Sequence, residues 1–199
     1  GEDIIMSCDK CDYAANLELA EIGGQQDIEN VSNESSDDMK EVHTPNLRSI
    51  EEVAQQLSIK PSNLIKTMIV DVDGNLIAAL VRGDHELSLT KLRKSLGAEM
   101  VELATPDQIL EATGGPMGFS GPVGLNIRKV ADLSVKTMGT SVTGANKADY
   151  HIMNVNLGKD FEISEFYDMR VASDGDKCPK CNEGGLVSTR GIEVGHVFM

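Results

Sequence analysis

The 199-residue chain has no tryptophan, few aromatic residues of any kind and no long apolar run. Its longest uninterrupted apolar stretch, Leu76 to Val81, is far shorter than the roughly 20 residues that cross a bilayer. No basic segment followed by an apolar stretch opens the chain, so secretion is not expected. Basic residues are also scarce: 18 lysines and arginines stand against 32 aspartates and glutamates, a net charge of −14. This balance argues against a general nucleic-acid-binding protein, which would carry a basic surface.

Only four cysteines are present, and they form two Cys-x-x-Cys pairs near opposite ends of the sequence. Cys8 and Cys11 make the first pair, and Cys178 and Cys181 make the second. Four thiolates suit a tetrahedral zinc site, and such a site would be structural because no position is left for water or substrate. Reduced or disulfide-bonded pairs are the alternative. A shared metal would bring the two ends of the chain together, as in a domain inserted into a larger protein, and this use of cysteine fits the cytosol.

Composition and cysteine positions divide the chain into four parts. Residues 1–17 form an N-terminal junction that contains the first cysteine pair, and residues 173–199 contain the second. Between Glu18 and Glu41 there are eight acidic residues and one lysine without a hydrophobic period, which indicates an acidic linker or loop at 18–41. The main domain is predicted at 42–172.

Helix and strand patterns alternate through the main domain. Capping boxes at Ser49 and Thr105 predict two helices, and Gly97 closes a third. IKTMIVDV and NLIAALV, joined through Asp-Gly, predict a β-hairpin. Further short strands are expected at EMVEL, VGLNI, ADLSVK and YHIMNVN. Hairpins interleaved with helices and without a regular βαβ rhythm favour an α+β fold with a mixed, mostly antiparallel β-sheet.

Several motifs occur here in an order that resembles a known family. They are GED…DYAANLELAE, HTPN…IKTMIVDVDG, RGDHELS, GFSGPVGL, TGANKADYH and TRGIEVGHVF, and together they cover nearly the whole chain. This order resembles the editing insertion of bacterial-type prolyl-tRNA synthetases, a YbaK-like domain placed within a class II catalytic domain. The resemblance implies a YbaK-like sheet or barrel with flanking helices at 42–172. A zinc-ribbon-like base would join the chain ends, and the catalytic-domain strand would resume within 173–199.

The resemblance also implies a reaction. A synthetase pocket sized for proline cannot exclude the smaller alanine, so a second site would hydrolyse the ester of mischarged Ala-tRNA(Pro). Substrate positioning and oxyanion stabilisation would suffice, without a catalytic cofactor, whereas ATP and Mg would serve only the parent synthetase. The implied partners are the tRNA(Pro) 3′ end carrying alanine and the parent's catalytic domain, in the cytoplasm, with no DNA and no membrane. The alternative function is a non-catalytic tRNA- or protein-binding module with a structural zinc base.

Catalytic residues are expected at three places. Lys66 stands at the start of an apolar strand, where a charge is costly unless it faces a site or solvent, and the resemblance implies that it grips the terminal phosphate or the ester region. The GxxxP loop, with Gly118, Gly121 and Pro122, would supply backbone N–H donors. His151 would shape the pocket that admits the alanine methyl group.

Substrate-binding residues are expected from the same resemblance. The Asp132 carboxylate could hold the amino group of the substrate, and the Thr44 hydroxyl could bond the ester or the ribose. Arg82 and His85 of the RGDHELS loop could line the adenosine pocket or, equally, form a salt-bridged turn. Glu2 of the GED motif is a further candidate.

Overall fold

The computed structural model of the protein describes residues 2–25, 37–47 and 49–192. Within these residues the chain forms eleven β-strands and three α-helices. The strands, numbered β1 to β11 in chain order, are Glu2–Cys8, Ala14–Asn16, Lys40–His43, Leu64–Val72, Asn75–Arg82, Val101–Leu103, Lys129–Asp132, Ser141–Gly144, Tyr150–Val155, Glu165–Tyr167 and Leu186–Ile192. The helices α1 to α3 are Ile50–Gln56, Leu89–Leu96 and Pro106–Thr113.

The hairpin of β4 and β5 is the centre of the main sheet. The two strands pair from Ile65↔Arg82 to Val72↔Asn75. Asp73 and Gly74 join them with φ angles of 51° and 85°, the positive φ values that a two-residue hairpin turn needs. The predicted hairpin is therefore confirmed.

The main sheet has eight strands in the order β10-β7-β5-β4-β8-β9-β3, with β6 also paired to β4. Four of its strand pairs are antiparallel and three are parallel, which confirms the mixed, mostly antiparallel prediction. Successive side chains of β5 are buried on both faces of the sheet, as expected for a central strand. One face carries a core with Ile65 and Leu80, and the other carries a core with Val70 and Val81.

Local sequence signals fix the helix ends. Ser49 and Thr105 form complete capping boxes at the starts of α1 and α3, as predicted. Gly97 and Gly114 end α2 and α3 in the left-handed conformation. None of the helices in the described ranges is long and apolar enough to cross a membrane.

The second sheet has three strands in the order β11-β1-β2. Strands β1 and β11 pair antiparallel from Glu2↔Ile192 to Cys8↔Leu186, so the two ends of the described chain lie side by side. Met6 and Leu186 are buried in a small core that also contains Ala20 and Ile22. These two residues belong to the segment predicted as an acidic linker. Its central part, 26–36, and the C-terminal segment 193–199 lie outside the described residues.

Two predicted strands differ from the structure. ADLSVK contributes only its first two residues to β7, and a 3-10 helix, Leu133–Thr137, follows. The Asp132 carboxylate causes this change because it accepts a hydrogen bond from the backbone N–H of Ser134 at 3.0 Å and turns the chain. VGLNI forms a loop between α3 and β7, so no strand forms there.

Candidate functional site

A cavity of about 270 Å³ lies beside β4, where the neighbouring strands part. Strand β8 pairs with β4 only at Leu64 and Ile65, and β6 pairs with it only from Val70 onward. Among residues 2–25, 37–47 and 49–192, no strand pairs with the edge of β4 between these points, and this open edge faces the cavity. The cavity lining comes from α1, β4, β6, α3, the loop after α3, and the ends of β8 and β9. It includes Ser49, Ile50, Val53, Leu64, Lys66, Thr67, Met68, Leu103, Met117, Gly118, Ser120, Gly144 and His151.

Lys66 lies in this open part of β4 and lines the cavity. Its Nζ donates to Oε1 of Glu86 at 2.8 Å. The lysine side chain is 19% exposed and the glutamate side chain is 78% exposed. A carboxylate this accessible to water can be exchanged for another anion at low cost. Lys66 is therefore a cation positioned at the cavity wall by an exposed partner.

The GxxxP loop is fixed against the turn between β8 and β9. The Gly121 N–H donates to Oδ1 of Asn146 at 2.8 Å, and Asn146 Nδ2 donates to the carbonyl oxygens of Gly121 and Val123 at 3.0 and 3.2 Å. The Asn146 N–H donates to the Phe119 carbonyl at 2.8 Å. A Cβ on Gly121 would overlap the carbonyl oxygen of Gly144. The loop and the turn thus form one rigid wall of the cavity.

This arrangement separates the loop's donors into two groups. The Gly121 N–H is used to hold the loop, and Pro122 is buried behind it. Gly118 and Ser120 line the cavity, and neither backbone N–H donates to an acceptor among residues 2–25, 37–47 and 49–192. These two N–H groups are the donors that the loop offers to a ligand.

His151 lies on β9 at the cavity wall, with Thr44 behind it. Thr44 Oγ1 and His151 Nδ1 are 2.7 Å apart and form a buried hydrogen bond. Burial lowers the pKa of His151, so the imidazole is neutral at pH 7. The Phe119 ring packs edge-on against it, with centroids 5.9 Å apart. Thr44 is fully buried and does not line the cavity; its hydroxyl orients the histidine.

Asp132 lies outside the cavity and is fully buried. Its Oδ1 accepts hydrogen bonds from the Ser134 N–H at 3.0 Å and the Ser134 hydroxyl at 2.6 Å. Its Oδ2 accepts from the backbone N–H groups of Met169 and Arg170 at 3.0 and 3.1 Å. Four donors satisfy a carboxylate, so Asp132 joins β7 to the segment after β10.

Arg82 and His85 form a salt-bridged turn, one of the two arrangements expected for this loop. Arg82 forms a two-point ion pair with Asp84 at 2.6 and 2.9 Å, and its Nη2 lies 3.0 Å from His85 Nε2. His85 Nδ1 lies 3.2 Å from the Ser134 hydroxyl. Burial, together with the guanidinium groups of Arg170 and Arg82, lowers the pKa of His85 to about 4. Neither Arg82 nor His85 lines the cavity. Glu86, which follows their turn, accepts the hydrogen bond from Lys66 Nζ.

The four cysteines meet beside the small sheet, away from the cavity. Their sulfur atoms all lie within 4.8 Å of one another; Cys8 and Cys181 are 3.7 Å apart, and Cys11 and Cys178 are 3.6 Å apart. All four are free thiols, and a disulfide would require about 2.05 Å. Sulfurs around a zinc ion with bonds of about 2.3 Å are about 3.8 Å apart, so the four residues could hold this metal.

Backbone donors surround the cysteine sulfurs. The N–H groups of Lys10, Lys180 and Gly184 donate to the sulfurs of Cys8, Cys178 and Cys181 at 3.3 to 3.4 Å. Such donors stabilise thiolates, the form that binds metal. Glu2 also belongs to this region, since it begins β1 in the small sheet and pairs with Ile192. It therefore lies in a different sheet from Lys66.

Sequence reasoning did not single out several residues that shape the cavity. Asn146 was part of the TGAN motif, but its tie to Gly121 spans 25 positions and leaves no local signal. Glu86 belongs to the RGDHELS motif, but its pairing with Lys66 spans 20 positions and leaves no local signal. Ile50 and Val53 lie in the helix that Ser49 begins, and Thr67 lies in the segment IKTMIVDV; neither pattern indicates that these side chains line a cavity.

Comparisons with known proteins agree with this architecture. The sequence model of the aminoacyl-tRNA editing domain family matches residues 44–161. Proline–tRNA ligase of Geotalea daltonii is 48% identical over 198 residues, and that of Syntrophus aciditrophicus is 48% identical over 199 residues. Each alignment covers 100% of this chain and 34% of the relative, so the chain spans about a third of the length of these curated relatives.

Solved structures show the same fold. A hypothetical protein of known crystal structure superposes with a TM-score of 0.52 at 26% identity, covering 58% of this chain and 79% of its own. A crystal structure described as a candidate trans-editing enzyme for prolyl-tRNA synthetase also has a TM-score of 0.52, at 23% identity, over 57% of this chain and 74% of its own.

Proposed function

The chain belongs to the aminoacyl-tRNA editing domain family, in the form carried by proline–tRNA ligases, and from this premise we propose that it hydrolyses the ester of Ala-tRNA(Pro). One observation carries the proposal. A cavity with an apolar end lies against a cation and two backbone N–H groups that have no protein acceptor among the described residues. Hydrolysis of an aminoacyl-tRNA ester needs three parts: a pocket for the amino-acid side chain, a partner for the phosphate of the terminal adenosine, and donors for the ester carbonyl oxygen.

Ile50, Val53 and Leu64 form the apolar end of the cavity. A methyl group can be buried among them at low cost. His151, held by Thr44, forms the neighbouring wall and limits the width of the pocket. We assign the selection of alanine over proline to this wall, because a neutral and oriented ring is a fixed steric boundary.

Lys66 is assigned to the phosphate of the terminal adenosine. The exposed Glu86 carboxylate holds the lysine in the free protein, and a phosphate oxygen would take its place on binding. The N–H groups of Gly118 and Ser120 are assigned to the carbonyl oxygen, which becomes negative as water adds to the ester. The tetrahedral intermediate then collapses to free alanine and the tRNA 3′-terminal hydroxyl. A water molecule is sufficient as nucleophile because the ester is already activated.

The four cysteines are assigned to a structural zinc ion. The sulfur separations fit a tetrahedral site, and four thiolates leave no position for substrate. Zinc would fasten the two cysteine knuckles together beside β1 and β11 and would take no part in hydrolysis. The implied partners are the 3′ end of tRNA(Pro) and the remainder of a synthetase.

Deacylation of Ala-tRNA(Pro) and Pro-tRNA(Pro) by the purified chain tests the proposal. We expect alanine to be released and proline to be retained. Lys66→Met should lower kcat/KM about 10- to 100-fold, the effect of losing a charge-assisted hydrogen bond. Lys159→Met, which changes an exposed lysine that does not line the cavity, should have no effect.

Two results would count against this function. Equal release of alanine and proline would refute the assigned selectivity. Tight binding of Ala-tRNA(Pro) without turnover would favour the alternative of a non-catalytic binding module with a structural zinc base.

A further inference from the structure

The backbone of Thr67 faces the open edge of β4. The Leu64 carbonyl accepts from Gly83 on the β5 side, and the Ile69 carbonyl accepts from Ala104 on the β6 side. Backbone groups of successive strand residues point to alternate edges, so odd-numbered residues of β4 face away from β5. Pairing with β8 ends at Ile65 and pairing with β6 begins beyond Met68. Thr67 is therefore the residue whose N–H and carbonyl point into the gap.

The Thr67 side chain is also without a partner. It lines the cavity, is 8% exposed, and its hydroxyl has no hydrogen-bond partner among residues 2–25, 37–47 and 49–192. A buried hydroxyl left unpaired costs about 1–3 kcal/mol. An N–H, a carbonyl and a hydroxyl of a single residue thus converge on a cavity that can hold a ligand.

Among residues 2–25, 37–47 and 49–192, none of those that line the cavity carries a carboxylate. The α-ammonium of an aminoacyl ester must nevertheless be hydrogen-bonded when it is buried. Lys66 repels it, and the imidazole of His151 is one neutral neighbour. The Thr67 carbonyl and hydroxyl are neutral acceptors on the same wall.

We propose that Thr67 binds the aminoacyl group of the substrate as if it were one residue of an added β-strand. In an antiparallel sheet two opposed residues exchange both N–H···O bonds. An aminoacyl ester has the same spacing of donor and acceptor about its Cα. Its ammonium donates to the Thr67 carbonyl and hydroxyl, and its carbonyl oxygen accepts from the Thr67 N–H. This assignment rests on the proposed deacylase function and adds a third donor to those of Gly118 and Ser120.

Side-chain variants test the hydroxyl. Thr67→Val keeps the shape of the side chain and removes only a group that is unpaired in the free protein. We expect kcat/KM for Ala-tRNA(Pro) to fall about tenfold while the melting temperature stays equal or rises. Thr67→Ser keeps the hydroxyl and should retain most of the activity. A purely structural threonine would show the opposite pattern, with lower stability and unchanged kcat/KM, and that result would overturn the assignment.

Backbone esters test the N–H and the carbonyl. Cell-free translation with the α-hydroxy analogue of threonine removes the N–H at position 67, and the analogue of methionine at Met68 weakens the Thr67 carbonyl as an acceptor. Both should lower kcat/KM about tenfold. The matched control is the α-hydroxy analogue of valine at Val70, which pairs with Ile77 within the sheet. It should lower stability and leave kcat/KM unchanged; equal kinetic effects at all three positions would refute the proposal.

A binding measurement separates this inference from the proposed function. A non-hydrolysable 3′-alanylamino-adenosine should bind better than its propionyl counterpart, which lacks the ammonium, and Thr67→Val should reduce the difference. Alanine release by the wild-type chain without this discrimination would refute only the role of Thr67. Absence of both turnover and analogue binding would refute the deacylase function, and the inference with it.

Discussion

Replacing Lys91 with methionine should destabilise the protein more than any other single loss of a charge on α2. Lys91 is 4% exposed. Its Nζ donates to the Asp168 carboxylate at 2.7 Å and to the carbonyl oxygens of Ala20 and Arg170, both at 2.9 Å. Asp168 in turn accepts from the Ile22 N–H at 2.9 Å. The ammonium therefore connects the helix on the main sheet with the segment that packs on the small sheet.

The expected cost is about 3–5 kcal/mol, because removing one member of a buried ion pair leaves the other charge uncompensated. Burial already raises the pKa of Asp168, and Lys91 opposes that rise. Without the lysine the pKa should rise further. A folded-state pKa above the unfolded value means that stability is gained as the pH falls, since the folded state then binds the extra proton. The penalty of Lys91→Met should therefore shrink between pH 8 and pH 5.

Urea unfolding of both proteins at several pH values measures this difference. Lys94→Met is the control on the same helix, because the Lys94 side chain is 70% exposed and its Nζ lies 3.5 Å from Oε1 of Glu21. Such a surface pair contributes about 0–1 kcal/mol. A penalty for Lys91→Met below about 1 kcal/mol, or one that does not change with pH, would refute the reasoning.

Three further predictions concern other parts of the molecule. The pKa of His85 is lowered to about 4 in the folded state, so stability should be lost as the pH falls from 6.5 to 4. In acid unfolding curves His85→Asn should remove at most about 3 kcal/mol of this loss. A chelator should lower the melting temperature and release one zinc ion per chain, detected by mass spectrometry, and retention of both stability and metal content would contradict the zinc assignment. Gly121→Ala should lower deacylation at least tenfold because its Cβ overlaps the Gly144 carbonyl, whereas Gly191→Ala, which meets only ordinary contacts, should not.

Much of the fold could be predicted because its signals are local. Asp73-Gly74 defines the hairpin, and the capping residues Ser49 and Thr105 define two helix starts. The 3-10 helix after β7 starts from a local contact, the bond from the Ser134 N–H to the Asp132 carboxylate. The bonds that the other carboxylate oxygen accepts from the backbone N–H groups of residues 169 and 170 could not be predicted. A contact between segments so far apart leaves no periodicity in the sequence.

The features of the candidate site likewise fall into those with a local sequence signal and those without one. Lys66 could be found because a lysine in an apolar strand is conspicuous. The open edge of β4 could not, since it depends on where β8 ends its pairing and β6 begins. Nor could sequence show that the Gly121 N–H is occupied by Asn146, which moves the available donors to Gly118 and Ser120.

The shortness of the gap beside β4 has a consequence for aggregation. Unpaired strand edges are templates on which other chains can add, and natural proteins cover or interrupt them. Here the exposed stretch runs only from Lys66 to Met68, with β8 closing one end and β6 the other. A foreign strand would need several consecutive residues to pair and would collide with both neighbours. The protein can thus present strand-edge hydrogen-bonding groups to a small ligand without becoming a nucleus for β-sheet association.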